Sequence, residues 1–295
     1  MENKEWIMDI AFENTSHFVD LEQGRLYYHD LGSGPCLMLI HGSGPGVTGW
    51  ANFANNLAFF SKRFRCVVID LPGYGLSDTV AGDPIGVCVD AVVALAEKLK
   101  LGQVHLVGNS LGGIVGSHVA AQKPDLVASF TTIGGVGLNV FSAFPGEGLN
   151  LLTAFAEDPT RERLEVWLRS MVFDPSIITP ELIESRYIQA TEPKTLATTR
   201  AIYSREAIAA ITEFRSGPNA TQTIAHLSSI QAPTLITWGR DDRVSPMDIS
   251  LIPMRLIPNC ELHIFPNCGH WAMIECKDRF ERLVQAFVES TIATT

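Results

Sequence analysis

The chain has 295 residues, of which 46% are hydrophobic and 18% charged, with a formal net charge of −10 at pH 7. That composition supports a large buried core, excludes a disordered chain, and argues against a nucleic-acid partner, whose phosphates need a basic face. The longest apolar runs, such as Cys36–Ile40, fall far short of the roughly 20 residues that a membrane-spanning helix needs.

At the N-terminus, residues 1–16 mix acids with Lys4 and Trp6 and lack the basic-then-apolar order of a secretory signal. Residues 18–21 and 25–29 flank Glu22-Gln23-Gly24 and predict a β-hairpin. Residues 36–41, 66–70 and 104–108 are continuous apolar runs of strand length. Between the last two, residues 87–100 place Val89, Val92, Val93, Leu95, Ala96 and Leu99 at helical spacing. A small-residue helix is expected over Leu111–Gln122, stopped by Lys123-Pro124, and Val127–Ile133 returns as a strand. Continuous apolar strands alternating with helices mean a parallel sheet covered on both faces.

From Gly134 to about Thr223 the pattern turns helical, with segments at 161–171, 180–190 and 194–209. The alternation then resumes: a strand over Thr234–Gly239, a short helix at 246–252, a strand at 261–265 and a closing helix at 277–289. The expectation is an α/β core of residues 1–134 and 224–295, interrupted by a helical lid over residues 135–223. The six cysteines include no CxxC pair and no Cys/His ligand spacing. They read as the reduced thiols of a cytoplasmic protein without a structural metal, and Cys268 with Cys276 is the one bridge to consider.

The chemistry centres on Gly108-Asn109-Ser110-Leu111-Gly112, which follows an apolar strand and opens a helix. A G-x-S-x-G at a strand-to-helix turn is a nucleophile elbow. Its sharp turn strains the serine backbone and brings helix and strand so close that only glycine fits two positions to either side. A second motif, His41-Gly42-Ser43-Gly44-Pro45-Gly46, follows an early strand. Acyl transfer needs two N–H donors for the developing oxyanion, and Ser43 and Leu111 are the expected pair. A phosphate loop would need Lys and Ser/Thr after the last glycine, where Val47-Thr48-Gly49 stand instead. His41 reads as a packing residue of the loop.

Of the eight histidines, His270 has the setting of a base, in the loop Cys268-Gly269-His270-Trp271 between the last strand and the last helix. The acid belongs after a strand between Ser110 and His270, where Gly239-Arg240-Asp241-Asp242-Arg243 offers two aspartates. Asp242, three residues after the glycine, is the assignment, with Asp241 as its competitor and Asp70, in Asp70-Leu71-Pro72-Gly73, as a more distant one. The order Ser, Asp, His along the chain is that of the α/β-hydrolase fold. The fold class is therefore α/β: a mostly parallel central sheet flanked by helices, with the helical lid inserted.

With these residues placed, the chain resembles the meta-cleavage-product hydrolases, α/β-hydrolases that split a carbon–carbon bond in ring-opened aromatic compounds. The resemblance covers most of the chain. It rests on the Gly-Pro-Gly loop with Trp50, Asn52 and Phe53 downstream, on Asn109 before Ser110, on the Gly239 to Arg243 run, and on Trp271 after His270. Leu111, where many members have Met, and Ser43, where Gly is frequent, depart from the pattern at positions that need only a backbone N–H.

The resemblance implies a 2-hydroxy-6-oxohexa-2,4-dienoate as small-molecule substrate, no metal or organic cofactor, and a homodimer or higher homo-oligomer. It implies that Arg186 grips the C1 carboxylate and 2-oxygen, with Gly42, Asn52, Asn109 and Trp271 around the dienoate; a fixed guanidinium fork suits such a group. It further implies tautomerisation of the dienol to a ketone, then attack on C6 by Ser110 or by water, with His270 moving protons. Apolar residues in the lid suggest a bulky or aromatic C6 substituent. Two other classes share these motifs: a carboxylesterase or related acyl hydrolase with the same triad, and a non-catalytic small-molecule receptor on the same scaffold.

Overall fold

The structure is a computed structural model that describes residues 10–218 and 220–292. Most of the N-terminal stretch read above as lacking a secretory signal lies outside the described residues. Eight strands form one sheet: β1 Ser16–Leu21, β2 Gly24–Leu31, β3 Cys36–Ile40, β4 Arg65–Ile69, β5 Val104–Asn109, β6 Val127–Ile133, β7 Thr234–Gly239 and β8 Cys260–Phe265. Their order across the sheet is β1-β2-β4-β3-β5-β6-β7-β8. The hairpin β1/β2 and the pair β2/β4 are antiparallel, and every neighbour from β4 onward is parallel.

Burial follows from the pleat. Side chains alternate across a strand, so in β3 Leu37 and Leu39 point to one face while Met38 and Ile40 point to the other. Both faces are covered. Helices α1 (Gly49–Phe60) and α9 (Lys277–Ile292) bury Phe53, Leu57, Phe60, Phe280 and Val284 on the first. Helices α2 (Pro84–Lys98) and α3 (Leu111–Gln122) bury Val89, Val92, Val115 and Val119 on the second. Each large side chain so buried contributes roughly 1.5–3 kcal/mol. That double burial is why the strands read as unbroken apolar runs.

Helix α1 has no counterpart in the sequence reading. Its asparagines and aromatic residues are weak helix formers. It forms because Thr48 caps its first turn, accepting from the Ala51 N–H at 3.0 Å, and because Asn52, Phe53, Asn56, Leu57 and Phe60 make one buried face. Asn56 then ties α1 to α9 by donating to Glu281 Oε1 at 3.0 Å.

Among the described residues, five helices of ten or more residues lie between β6 and β7: α4 (Glu147–Glu157), α5 (Arg161–Ser170), α6 (Pro180–Thr191), α7 (Pro193–Tyr203) and α8 (Arg205–Ser216). The single helix expected at 194–209 is two. Ser204 adopts extended backbone between α7 and α8, and its hydroxyl accepts from the Ala207 N–H at 3.3 Å. A serine at a helix junction prefers to cap the second helix rather than continue the first. No helix of the described residues is long and apolar enough to cross a membrane. All six cysteines are free, so Cys268 and Cys276 form no bridge.

Burial holds four imidazoles, those of His29, His41, His105 and His226, down to about 4. Between pH 6.5 and 4 the unfolded chain binds protons at these groups that the folded chain refuses, so stability declines as pH falls through that window. Asp70, which burial pushes up to about 6, opposes this with one proton of the other sign. Each uncompensated proton steepens the decline by about 1.4 kcal/mol per pH unit. Urea unfolding followed between pH 6.5 and 4 should show stability falling with acid, less steeply in His41→Gln. A flat or rising profile contradicts this account.

Candidate active site

The turn from β5 into α3 is where the backbone is forced hardest. Ser110 has φ 50° and ψ −111°, a region that non-glycine residues rarely enter. Close approach explains the glycines around it. A Cβ on Gly108 would lie 2.2 Å from the Gly112 carbonyl oxygen, and one on Gly112 would lie 2.2 Å from that of Ile40. The strained turn is anchored at both ends. The Ser110 N–H donates to Ile133 O at 2.8 Å, and its carbonyl accepts from Gly113 and Ile114 at 2.9 and 3.1 Å. The serine therefore stands at the C-terminal edge of the sheet, at the N-terminus of α3.

His270 follows β8 and Asp242 follows β7, both on the same edge. The imidazole Nδ1 donates to Asp242 Oδ2 at 2.7 Å, with the two residues 3% and 6% exposed. The other carboxylate oxygen, Oδ1, accepts from the Val244 and Ser245 N–H groups, each at 2.8 Å. In a neutral imidazole, a carboxylate accepting at Nδ1 places the ring proton there and leaves Nε2 as the acceptor. Asp241 points elsewhere, pairing with Arg240 at the surface at 3.2 Å. Asp70 is also removed from His270. Its oxygens accept from the Gly49 and Leu76 N–H groups at 2.7 and 3.1 Å and fix the start of α1.

The loop after β3 is held from beneath by His41. Its Nε2 accepts from the Leu71 N–H at 2.9 Å, so its Nδ1 carries the proton and donates to the Gly42 carbonyl. This histidine is fully buried and serves packing. Among the described residues neither the Ser43 nor the Leu111 N–H has an acceptor. Gly44 has φ +135°, and a Cβ there would meet the Trp167 ring at 2.9 Å, so glycine lets α5 press onto the loop. The Ser43 hydroxyl and the Tyr203 hydroxyl of α7 share a hydrogen bond.

Two cavities flank this turn, and Ser43 lines both. The first, called the polar cavity below for the side chains of Ser43, Asn52, Asn109, Arg186 and His270 that line it, is nearly closed, with a volume of about 10 Å³, room for about one water. Gly42, Asn52, Asn109, Arg186, His270 and Trp271 all face it. Arg186 on α6 is 6% exposed, donates to the Gly46 carbonyl at 2.8 Å, and stands 5.8 Å from the centre of the Trp271 ring. Burial lowers its pKa to about 10, and among the described residues it has no carboxylate partner. Asn52 donates to Asn109 Oδ1 at 3.0 Å, and Asn109 in turn donates to the Ile133 carbonyl at 3.1 Å. The second cavity, about 680 Å³, is walled by Leu111 and largely apolar side chains of α2, α7 and α8.

Sequence reasoning missed Trp167 and Met171, which close the polar cavity from α5 and its C-terminal end. A tryptophan on an amphipathic helix reads as core. The distinguishing sign is spatial: Trp167 Nε1 is buried without a hydrogen-bond partner, as is Asn52 Oδ1, and both residues line the same polar space. Among the described residues no cluster of three or more His, Cys, Asp or Glu is placed to hold a metal ion.

Strand order, the elbow after β5, and a carboxylate-held imidazole after β8 define a protein of the α/β-hydrolase class. Residues 35–276 match the family model described as the alpha/beta hydrolase fold. A 2-hydroxy-6-oxononadienedioate/2-hydroxy-6-oxononatrienedioate hydrolase of Burkholderia vietnamiensis is 38% identical over 285 residues, covering 93% of this chain and 96% of that protein. A 2-hydroxy-6-oxo-6-phenylhexa-2,4-dienoate hydrolase of Burkholderia cepacia is 34% identical, covering 95% of this chain and 98% of that one. The solved structure of a meta-cleavage product hydrolase from Pseudomonas fluorescens IP01 superposes with a TM-score of 0.83 at 29% identity, covering 93% and 97%. The chain belongs to the meta-cleavage-product hydrolase family of the α/β-hydrolase fold.

The hydrogen bond from His270 to Asp242 yields a prediction. Asp242→Asn should reverse the imidazole's tautomer and lower turnover roughly 10³- to 10⁴-fold, whereas Asp241→Asn should stay near wild type. Steady-state kinetics on both variants check this, and similar losses in the two would exclude Asp242 as the orienting acid.

Proposed function

We propose that the chain hydrolyses the C5–C6 bond of 2-hydroxy-6-oxohexa-2,4-dienoates, with Ser110, His270 and Asp242 as its catalytic triad. The observation that carries this reading is Arg186, a buried guanidinium without a carboxylate, in one polar cavity with Asn52, Asn109, Trp271 and His270. A desolvated charge is costly until an anion joins it, and a carboxylate with an adjacent oxygen matches its fork. An esterase has no use for that arrangement.

The dienoate end lies in the polar cavity and the C6 substituent in the apolar one, which puts C6 beside Ser43 and the elbow. Arg186 binds the C1 carboxylate and the 2-oxygen, and the unpartnered Asn52 Oδ1 and Trp167 Nε1 supply one acceptor and one donor to the same end. The 2-hydroxyl proton is lost and C5 gains one, giving the 2,6-diketone. Ser110 Oγ, deprotonated by His270 Nε2, bonds to C6, and the Ser43 and Leu111 N–H groups hold the oxyanion. As the C6 carbonyl reforms, the C5–C6 bond breaks and its electron pair passes through C4=C3 to the C2 oxygen. Protonation there releases a 2-hydroxypenta-2,4-dienoate. Water, deprotonated by His270, then cleaves the acyl-serine to give the carboxylic acid of the C6 side.

A cavity of about 10 Å³ does not admit a dienoate. The segment 135–223 is accordingly proposed as a lid over a core of 1–134 and 224–295, with α5 and α6 moving outward to admit substrate. The relatives' names divide at C6, between a carboxyalkyl chain and a phenyl group. An enzyme of this kind consumes the product of extradiol ring cleavage of a catechol, because only that class of reaction leaves a dienol and a ketone so spaced.

Loss of dienoate absorbance tests the reading. Wild type should bleach the chromophore. Ser110→Ala should lose it by roughly 10³-fold or more while still perturbing the spectrum of bound substrate. Arg186→Ala should lower dienoate cleavage at least tenfold more than hydrolysis of p-nitrophenyl acetate. Rapid p-nitrophenyl ester turnover with no bleaching of any dienoate would sink the proposal in favour of an ordinary esterase.

A further inference from the structure

A second arginine, half-buried where Arg186 is buried, also lacks a carboxylate among the described residues. Arg215, on α8, loses water on folding, and this lowers its pKa, yet among the described residues it gains no carboxylate. Its protein contacts are neutral. Nη2 donates to the Gly137 carbonyl at 3.3 Å and to Asn139 Oδ1 at 3.1 Å, and the guanidinium stacks 4.4 Å from the centre of the Phe144 ring. Nε and Nη1 have no acceptor among the described residues. The side chain lines a cavity of about 760 Å³ between α8, α3 and the loop after β6.

That cavity reaches the elbow. Gly135 forms part of its wall, and a Cβ there would lie 2.3 Å from the Ser110 carbonyl oxygen. It shares Ile85 and Ile211 with the apolar cavity of Ser43 and Leu111. Leu111 lines the apolar cavity and Ile114 the one containing Arg215, a step of about 4.5 Å along α3.

The other ionisable groups on the wall do not neutralise the guanidinium. The exposed Asp83 carboxylate caps α2, accepting from the Gly86 N–H at 2.6 Å. His118 and His226 stack with ring centres 3.8 Å apart, and burial keeps both below their usual range, so they are neutral at pH 7. Among the described residues Arg215 therefore supplies the one positive charge on this wall.

We infer that Arg215 is a specificity-determining residue that binds a second carboxylate at the far end of the C6 substituent, so that the chain prefers dienedioates to C6-aryl dienoates. The inference rests on the dienoate reading proposed above and names the side of the family on which this chain falls. In a nine-carbon dioate the distal carboxyl carbon is three bonds, roughly 4 Å, beyond C6. Apolar walls then contact the short methylene linker, and the guanidinium selects the charged end. The acid released from C6 is a four-carbon dicarboxylic acid.

The test is steady-state bleaching by the full chain with three substrates: 2-hydroxy-6-oxonona-2,4-diene-1,9-dioate, its 9-methyl ester, and the C6-phenyl dienoate. Wild type should favour the dioate over its ester by roughly ten- to hundredfold in kcat/KM, mostly through KM. In Arg215→Ala that preference should collapse, and the ratio of dioate to phenyl activity should fall at least tenfold, with Arg215→Lys intermediate. A wild type that cleaves dienoates but does not distinguish the dioate from its ester overturns this inference and leaves the dienoate reading standing. So does an Arg215→Ala that lowers all three substrates alike, which marks a structural role. A wild type that bleaches no dienoate overturns both.

Discussion

The geometry of this molecule depends on one contact, the near-collision of β5, α3 and β3 at Ser110. A chain that turns from strand to helix in so few residues has no room for side chains at Gly108 or Gly112. In return, one half-buried residue is lifted out of the sheet edge with the helix N-terminus behind it. The neighbours of Ser110 are sorted by the same turn. Asn109, just before it, faces the polar cavity, and Leu111, just after it, faces the apolar one. The proposed division of a dienoate into a charged end and an apolar end thus falls on three consecutive residues. The roughly 1–3 kcal/mol of strain at such a residue persists because the hydrogen bonds from β6 and the first turn of α3 over-determine its position.

Charge is handled differently on the two sides of that turn. Asp242 is buried but fully partnered, each carboxylate oxygen having a donor, one of them His270 Nδ1. Arg186 is buried and lacks a counter-charge. A fold can carry such a residue because the stability of the large double-faced core exceeds what one desolvated guanidinium removes. The packing histidines show the opposite solution: His41 stays neutral, with each ring nitrogen satisfied by backbone. Beside Arg186, Asn52 Oδ1 and Trp167 Nε1 face the same cavity and are likewise left without hydrogen-bond partners.

What was legible in the sequence follows from how local each determinant is. The parallel strands could be read because burial on both faces makes each an unbroken apolar run. The elbow could be read because its steric demand falls on residues two apart. Helix α1 could not, since Gly49–Phe60 is helical through the Thr48 cap and through burial of Asn52 and Asn56 rather than through propensity. The break at Ser204 was missed because apolar spacing continues through it. Choosing between Asp241 and Asp242 needed only a count from Gly239, and the geometry turns Asp242 alone toward His270. Arg186 came from family resemblance, and its burial is invisible to any helical periodicity. Trp167 and Arg215 belong to cavities assembled from segments far apart in the chain, and no local pattern marks them.

The near absence of free volume beside His270 has a kinetic meaning. With the lid motion proposed above, a molecule that reaches Arg186 finds Trp167 and Met171 displaced and so meets a different member of the conformational ensemble. Its apparent affinity is diluted by the population of that open member. Ligands that reward opening, by bringing a carboxylate to a waiting guanidinium, shift the population toward it, whereas molecules lacking that group do not. On the proposed reading, the closed form thereby sets the serine apart from acyl donors that lack a carboxylate, before any question of chemical reactivity arises.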